Sequence, residues 1–292
     1  MTDLIYEKRN HIAIITMNRP EKRNSFSPQM IVQMGEAWQD FRDDDSLRVA
    51  ILTGTGDQSF SSGADLKLLI PLLIGARKPE TEWDKKIVTD RRSMDNALLR
   101  NFELYKPVIS AVNGFALAGG TEILQATDIR IAAPHASFGL SEAKRGIVPA
   151  GGSLTRLQRQ IPFAKAMEIL LIGDPIPAEE AHRIGLINEI VPQEKLLERA
   201  LEIAEKIAAN GPLAVRKIKE ALIRSNGKSL EEAYRIESEC AMMAMLSEDA
   251  VEGPKAFIEK RKPNFTGKER FPSKPIRDKG KEKKLEAEDT HL

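Results

Sequence analysis

Apolar residues in the first part of this chain gather into short, dense runs rich in β-branched side chains, whereas later they recur every three or four positions. Residues 11–17 (HIAIITM), 49–53 (VAILT), 107–112 (PVISAV) and 128–133 (DIRIAA) carry the first signature and predict buried strands. A shorter strand-like piece lies at 136–139 (ASFG). Ser27-Pro28 opens a helix with proline at its first position. The second signature runs through 154–160 and 163–172 (FAKAMEILLI), then a turn at 173–181 that leads into a helix stopped by Gly185. A further helix is expected from Val191-Pro192 to Asn210-Gly211, and three more at 213–224, 230–246 and 248–262. No internal repeat is present, and the C-terminal third is entirely helical in pattern.

The densest chemistry lies in residues 106–152. The strand at 107–112 ends at Asn113-Gly114, and Ala118-Gly119-Gly120-Thr121 places two residues without a Cβ where a helix should begin. Backbone can approach a ligand closely there, and the free N–H groups of a helix start favour an oxygen carrying negative charge. Glu122 follows in the first turn, where the helix dipole favours a carboxylate, so a plain helix-start acid accounts for it equally well. Glu142 comes twenty positions later, beyond the 136–139 piece. Two acids separated by a strand can meet across a cleft, whereas a pair at helical spacing would lie on one surface. Elsewhere, Gly54-Thr55-Gly56 follows a strand but lacks the spacing of a dinucleotide loop and opens no helix directly.

The segments NGFALAGGTE and FGLSEAKRGIVPAGG resemble the crotonase (enoyl-CoA hydratase/isomerase) superfamily, and the resemblance extends from about Ile5 to Lys268. It implies an α/β fold: a crotonase (ClpP-like) spiral of repeated ββα units with a C-terminal helical trimerisation region. The corresponding division is 1–200 for the spiral with the coenzyme A site and both glutamates, 201–265 for helical oligomerisation, and 266–292 for a charged, mobile tail. It also implies an oxyanion hole made by the backbone N–H groups of Ala64, in SFSSGADLK, and Gly119. Only backbone is used in such a pair, and a single preorganised donor of this kind is worth about 3–4 kcal/mol. By itself GAD also suits a strand-to-helix turn capped by Asp65.

By the same resemblance Glu142 donates or removes the proton at C2 of a trans-2-enoyl-CoA, and Glu122 activates the water that adds at C3. Two carboxyls close together in an apolar pocket share charge unfavourably, so one should stay protonated near neutrality, which supplies one acid and one base. The implied coenzyme A contacts are Arg23, Ala64, Asp65, Leu66, Lys67 and Gly119, with the adenine received by backbone around Ala64, Asp65 and Leu66. Lys22 and Arg23 are candidate phosphate partners or a solvated basic pair. No cofactor is implied beyond the coenzyme A of the substrate itself. The implied assembly is a homotrimer or a dimer of trimers. Related crotonase reactions stay open: carnitinyl-CoA-type dehydration, double-bond isomerisation and acyl-CoA hydrolysis. Isomerases commonly need one acid, so the presence of both glutamates favours hydration or dehydration. The chain departs from the family pattern at Ala118, where many members have glycine, at Ser141, a common proline, and at Ala150, a common glycine. It departs most in residues 68–100, which are apolar and proline-interrupted at first, then charged around Trp83. That segment forms either a wall of the acyl pocket or a core-facing helix with a surface excursion.

Composition narrows the remaining choices. Lys and Arg number 44 against 43 Asp and Glu, and a net charge of +1 argues against a dominant nucleic-acid or anionic-membrane role. A non-catalytic homologue that binds RNA through the basic run at 279–284 is the alternative of a different class. The single Cys240 excludes an internal disulfide and suits a reducing compartment. The N-terminal residues lack a secretory or transit layout, no apolar run has membrane-spanning length, and a cytoplasmic location is expected. The four histidines show no metal spacing, so no metal site is expected.

Overall fold

The computed structural model describes residues 2–90 and 92–271. A strand hairpin opens it: β1 (Leu4–Arg9) runs antiparallel to β2 (Ile12–Met17) through Asn10, which holds a left-handed φ of 52°. Helix α1 (Pro28–Asp43) starts where Ser27 accepts the Met30 amide at 3.0 Å, with Pro28 in the first turn. Its buried stripe, Met30, Met34, Trp38 and Phe41, lies at helical spacing, and Trp38 is fully enclosed with its indole N–H donated to the Ala97 carbonyl.

The chain then repeats one unit. Strand β3 (Val49–Gly54) joins a large sheet, β4 (Ser59–Ser61) joins a small one, and helices α2 (Leu69–Leu73), α3 (Glu82–Thr89) and α4 (Arg92–Ala97) follow. Strands β5 (Val108–Val112) and β6 (Phe115–Leu117) lead to α5 (Gly119–Leu124); β7 (Ile129–Ala132) and β8 (Ser137–Gly139) lead to α6 (Ser153–Gln160) and α7 (Phe163–Ile172). The small sheet closes with β9 (Ile176–Pro177), followed by α8 (Ala178–Arg183), and the large one with β10 (Glu189–Ile190). The large sheet has the order β1-β2-β3-β5-β7-β10 and the small one β4-β6-β8-β9. From β2 onward the large sheet is parallel. Strand β5 is buried throughout, as a central parallel strand covered on both faces must be.

Helix α9 (Leu196–Ala208) packs Leu196, Ala200, Ala204 and Ala208 against Ile12, Val49, Ile109 and Ile131 of the large sheet. The expected division at 200/201 therefore cuts through a helix that belongs to the core. Helices α10 (Pro212–Ser225) and α11 (Leu230–Met245) pair with each other, and α12 (Asp249–Ile258) follows. Two further expectations are corrected. The sheet begins at β1, not at residue 11; this edge strand buries only Leu4 fully, so it carries no dense apolar run. The helix expected from Val191-Pro192 does begin there, as a single tight 3-10 turn at Gln193–Lys195 that runs straight into α9 at Leu196. The segment expected to be mobile from Thr266 is tied down at its start: the Thr266 and Gly267 amides donate to Asp249 at 2.7 and 2.9 Å, and Arg270 donates to the Leu246 carbonyl. The basic run at 279–284 lies outside the described residues. No helix among the described residues is long and apolar enough to cross a membrane.

The close approach of β4 and β6 is what brings the second loop beside α5. A Cβ on Gly114 would run into the Gln58 carbonyl and lie 2.6 Å from the Ser59 nitrogen. Gly114→Ala should therefore lower folding stability by about 1–3 kcal/mol, as overpacked sites do, measured as a fall in the midpoint of denaturant unfolding. An unchanged midpoint would mean that the two strands part without cost.

Candidate active site

One cavity of about 370 Å³ collects residues from widely separated parts of the chain. Ser62 and Ala64 come from the segment after β4, Ala118, Gly119 and Glu122 from the start of α5, Glu142 from the turn after β8, and Ala150 and Gly151 from the loop before α6. Ile70, Leu73, Met94 and Leu98 form an apolar wall, with Asp95 and Arg100 beside them. Residues 68–100 thus build three short helices and a pocket wall together, which joins the two readings open for that segment.

Two glycines set the meeting of the loops. A Cβ on Gly63 would stand 2.8 Å from both the Gly119 nitrogen and the Ala118 Cβ, and one on Gly119 would press on the Phe26 ring at 2.9 Å. Ala118 itself has φ 50° and ψ −123°, a conformation natural only to glycine. Such a residue costs on the order of 1–3 kcal/mol and persists where its surroundings impose it. Here they do: the Ala118 amide donates to the Gly139 carbonyl at 2.8 Å, and its carbonyl accepts the Glu122 amide at 3.0 Å. Gly119 and Ala64 both line the cavity, and neither amide has an acceptor among the described residues. Two unengaged N–H groups lining an apolar cavity can bind an oxygen that gains negative charge.

The two glutamates face the same cavity from different elements. Glu122 is 5% exposed, and its Oε1 accepts the Gly151 amide at 2.7 Å and, more weakly, the Ser153 amide at 3.4 Å. Burial pushes its pKa above the ordinary carboxylate range, and the Ser153 and Gly151 amides and the Arg156 charge pull the other way. Glu142 is 8% exposed, and its Oε2 has no partner among the described residues. Burial, with the negative charge of Glu122 adding to it, pushes Glu142 up to about 7, against the opposing pull of its own amide and Arg145. The arrangement offers one carboxyl that keeps its proton near neutrality and one held by N–H donors, as a base requires.

An outer cavity of about 450 Å³ shares Ser62, Ala64 and Leu66 with the first and adds Asp65, Lys67, Lys22 and Arg19. Arg23 lines neither cavity: its side chain is exposed, and its carbonyl accepts the Ser62 amide and the Ser59 hydroxyl. Lys22 is the member of that basic pair that faces the cavity, because Arg23 closes the turn in a left-handed conformation. Asp65 does cap: its Oδ1 accepts the Lys67 and Leu68 amides at 2.9 and 3.0 Å. Burial raises its pKa, but those amides and Arg19 outweigh that and leave it below the usual range. Arg19, missed in the sequence, is buried and ties Asp65 Oδ2 at 3.0 Å to the Ser25 carbonyl at 2.7 Å.

The other departures also have structural reasons. Ser141 accepts Arg145 through its carbonyl and hydroxyl. Ala150 lines the cavity, but the amide that reaches Glu122 belongs to Gly151, the next residue, which sequence reading passed over.

Comparison with known proteins matches the chain to a family: residues 7–268 fit the model described as enoyl-CoA hydratase/isomerase. The chain belongs to the enoyl-CoA hydratase/isomerase family. Among its relatives, the enoyl-CoA hydratase EchA19 of Mycobacterium tuberculosis is 45% identical over 263 residues, spanning 90% of this chain and 96% of that protein. The carnitinyl-CoA dehydratase of Citrobacter koseri is 39% identical over 269 residues, 91% of this chain and 98% of that one. The (E)-benzylidenesuccinyl-CoA hydratase of Thauera aromatica is also 39% identical, over 261 residues, 89% of this chain and 98% of that one. The solved enoyl-CoA hydratase of Bacillus anthracis superposes with a TM-score of 0.82 at 36% identity, covering 91% of this chain and all of that one. That of M. tuberculosis H37Rv gives the same score and coverage at 38% identity. The fold is accordingly the crotonase fold, and the repeated unit of a strand in each sheet followed by helix is its spiral.

The buried carboxyl at Glu142 makes stability depend on pH. A carboxyl raised in the folded state binds its proton more tightly there than in the unfolded chain, so its contribution is full below 4.5 and is lost as pH rises through about 7. Denaturant unfolding should show the wild type losing stability across that window, with a flatter profile for Glu142→Gln. Parallel profiles for the two proteins would show that Glu142 titrates like an exposed carboxyl.

Proposed function

We propose that this member of the enoyl-CoA hydratase/isomerase family is an enoyl-CoA hydratase, adding water reversibly across the C2–C3 double bond of a trans-2-enoyl-CoA. The observation that carries the reading is a pair of buried carboxyls, one raised to about 7 and one held by amide donors, facing two unengaged backbone N–H groups across one cavity.

In this reading the thioester oxygen lies between the Ala64 and Gly119 amides. Glu122, ionised, takes a proton from water as its oxygen bonds to C3. The π electrons move onto the thioester oxygen as an enolate, which the two amides stabilise. Protonated Glu142 then gives its proton to C2, and the enolate collapses to the 3-hydroxyacyl thioester. Glu122 ends protonated and Glu142 ionised, and exchange with solvent resets them. Preorganised donors and a water-poor site are worth more here than in bulk solvent. The nucleotide end of coenzyme A is assigned to the outer cavity, with Ala64, Asp65 and Leu66 supplying backbone and Lys22 and Lys67 supplying charge. Asp65 acts there chiefly through its bond to Arg19.

Dehydration of a 3-hydroxyacyl-CoA is the same chemistry reversed, and the similarity to carnitinyl-CoA dehydratases makes it the second reading. Asp95, on the pocket wall, is the group that would face a cationic acyl end. The protein is assigned to the cytoplasm, from its single cysteine and balanced charge. Exposed Ile218, Leu222, Tyr234, Met242 and Phe257 on α10–α12 support a homotrimer or a dimer of trimers; sedimentation should give masses in multiples of three chains, and a monomer would end that assignment.

Turnover is read as loss of the conjugated enoyl thioester's absorbance over a panel of acyl groups. Glu122→Gln and Glu142→Gln should each lower kcat by about 10²–10⁴, the usual range for losing a general acid or base, with KM little changed. Crotonyl-CoA turnover that survives both changes would end the hydratase reading, and activity confined to a carnitinyl thioester would select the second.

A further inference from the structure

Glu122, Leu98 and Arg156 converge from three elements on the Gly151-Gly152 backbone. A Cβ on Gly151 would lie 2.6 Å from both Glu122 Oε2 and Leu98 Cδ1, and one on Gly152 would lie 2.8 Å from Arg156 Nη1. Gly152 also holds φ 130°, which side-chain-bearing residues rarely adopt. Absent side chains at both positions are what let a carboxylate, a pocket-wall leucine and a guanidinium come this close.

Two arginines exploit that space. Arg156, on α6, donates from Nη1 to the Leu98 carbonyl at 3.2 Å and from Nη2 to the Leu99 carbonyl at 2.6 Å. It thereby pins a turn in which Leu99 and Asn101 both hold left-handed φ angles of 50° and 52°. Arg100, between those two residues, returns its Nη1 to the Ala150 carbonyl at 2.9 Å, with Asp95 at 3.7 Å from the same group. That carbonyl and the Gly151 N–H that holds Glu122 at 2.7 Å belong to one peptide unit. A cationic donor on a peptide oxygen polarises the group and strengthens its N–H as a donor.

We propose that Arg100 and Arg156 form a brace that positions Glu122, Arg100 through the Ala150–Gly151 peptide and Arg156 by locking the turn that carries Arg100. The proposal rests on Glu122 being the water-activating base. Arg156 also acts through space. Burial depresses its pKa, its attraction to Glu122 opposes that, and Arg100 adds to the depression. The groups facing Glu122 are Glu142 and Arg145 from the turn after β8, Asp95 and Arg100 from the wall after α3, and Arg156 with the Gly151 and Ser153 amides from the α6 side. Removing the Arg156 charge leaves burial opposing ionisation with less to balance it, so Glu122 should become a weaker acid.

The test uses Arg156→Met, Arg156→Lys and Arg100→Met in the full chain, with two readouts. The first is the titration of Glu122 by NMR of carboxyl-labelled glutamate, assigned with Glu122→Gln, which needs no turnover. The second is the pH dependence of kcat/KM. In Arg156→Met the Glu122 titration should move up by about one pH unit, equivalent to tenfold in its ionised fraction at a fixed pH below that point. The acid limb of the pH profile should move with it, and the loss should fall on kcat rather than KM. Arg156→Lys should return the titration close to that of the wild type, and Arg100→Met should shift it in the same direction by less. A wild-type Glu122 titration in folded Arg156→Met overturns the brace, whatever the change in thermal stability. Should Arg156→Met not fold, the titration in Arg100→Met decides in the same way: displaced supports the brace, unmoved overturns it. A displaced titration in a protein inert toward every thioester keeps the brace and removes only the hydratase reading.

Discussion

Two carboxyl groups buried against one apolar cavity are the constraint on which the rest of the site depends. Neither Glu122 nor Glu142 can be ionised there without loss of hydration, and ionising both adds their mutual repulsion. The protein resolves this asymmetrically. Amide donors and the nearby positive charge of Arg156 are directed at Glu122, while Glu142 keeps one oxygen without a partner and takes the larger upward shift. Swapping those environments would swap the expected acid and base without moving either residue in the sequence.

The backbone around the carboxyls is arranged by close approach rather than by side-chain contact. Gly63, Gly119 and Gly151 each sit where a single methyl group would meet a neighbouring backbone, ring or carboxylate. Ala118 accepts a strained conformation where the chain turns into the helix start that lines the cavity. These are small costs concentrated at the site. They are supported by a large core in which Phe26, Phe41, Phe60 and Trp38 are all but completely enclosed. A rigid scaffold of this kind allows unengaged N–H groups to be held ready, where a softer one would turn them toward its own carbonyls.

The pocket wall is assembled from short pieces of residues 68–100. Helices α2–α4 are short, and the polar side chains in the wall, Asp95 and Arg100, are linked to the machinery through Ala150 and the turn gripped by Arg156. In the proposed reading, acyl recognition and the setting of Glu122 are coupled through one turn. A change of wall residue made to alter substrate range is expected to alter proton transfer as well.

Local pattern alone determined much of this protein. Dense β-branched runs marked β2, β3, β5 and β7, three- and four-residue spacing marked the later helices, and two motifs carried Gly119, Glu122 and Glu142. These signals are legible because strand and helix periodicity, and the need for residues without a Cβ, are properties of neighbouring residues. The edge strand β1 escaped notice because one buried leucine makes no pattern, and the 200/201 division failed because only packing shows that α9 belongs to the sheet. Arg19, Arg100 and Arg156 were invisible for the same reason: their partners lie 46, 50 and 57–58 positions away. Which of two identical glutamates keeps its proton was likewise settled only in three dimensions, since burial, donors and neighbouring charge come from segments that meet only when the chain has folded.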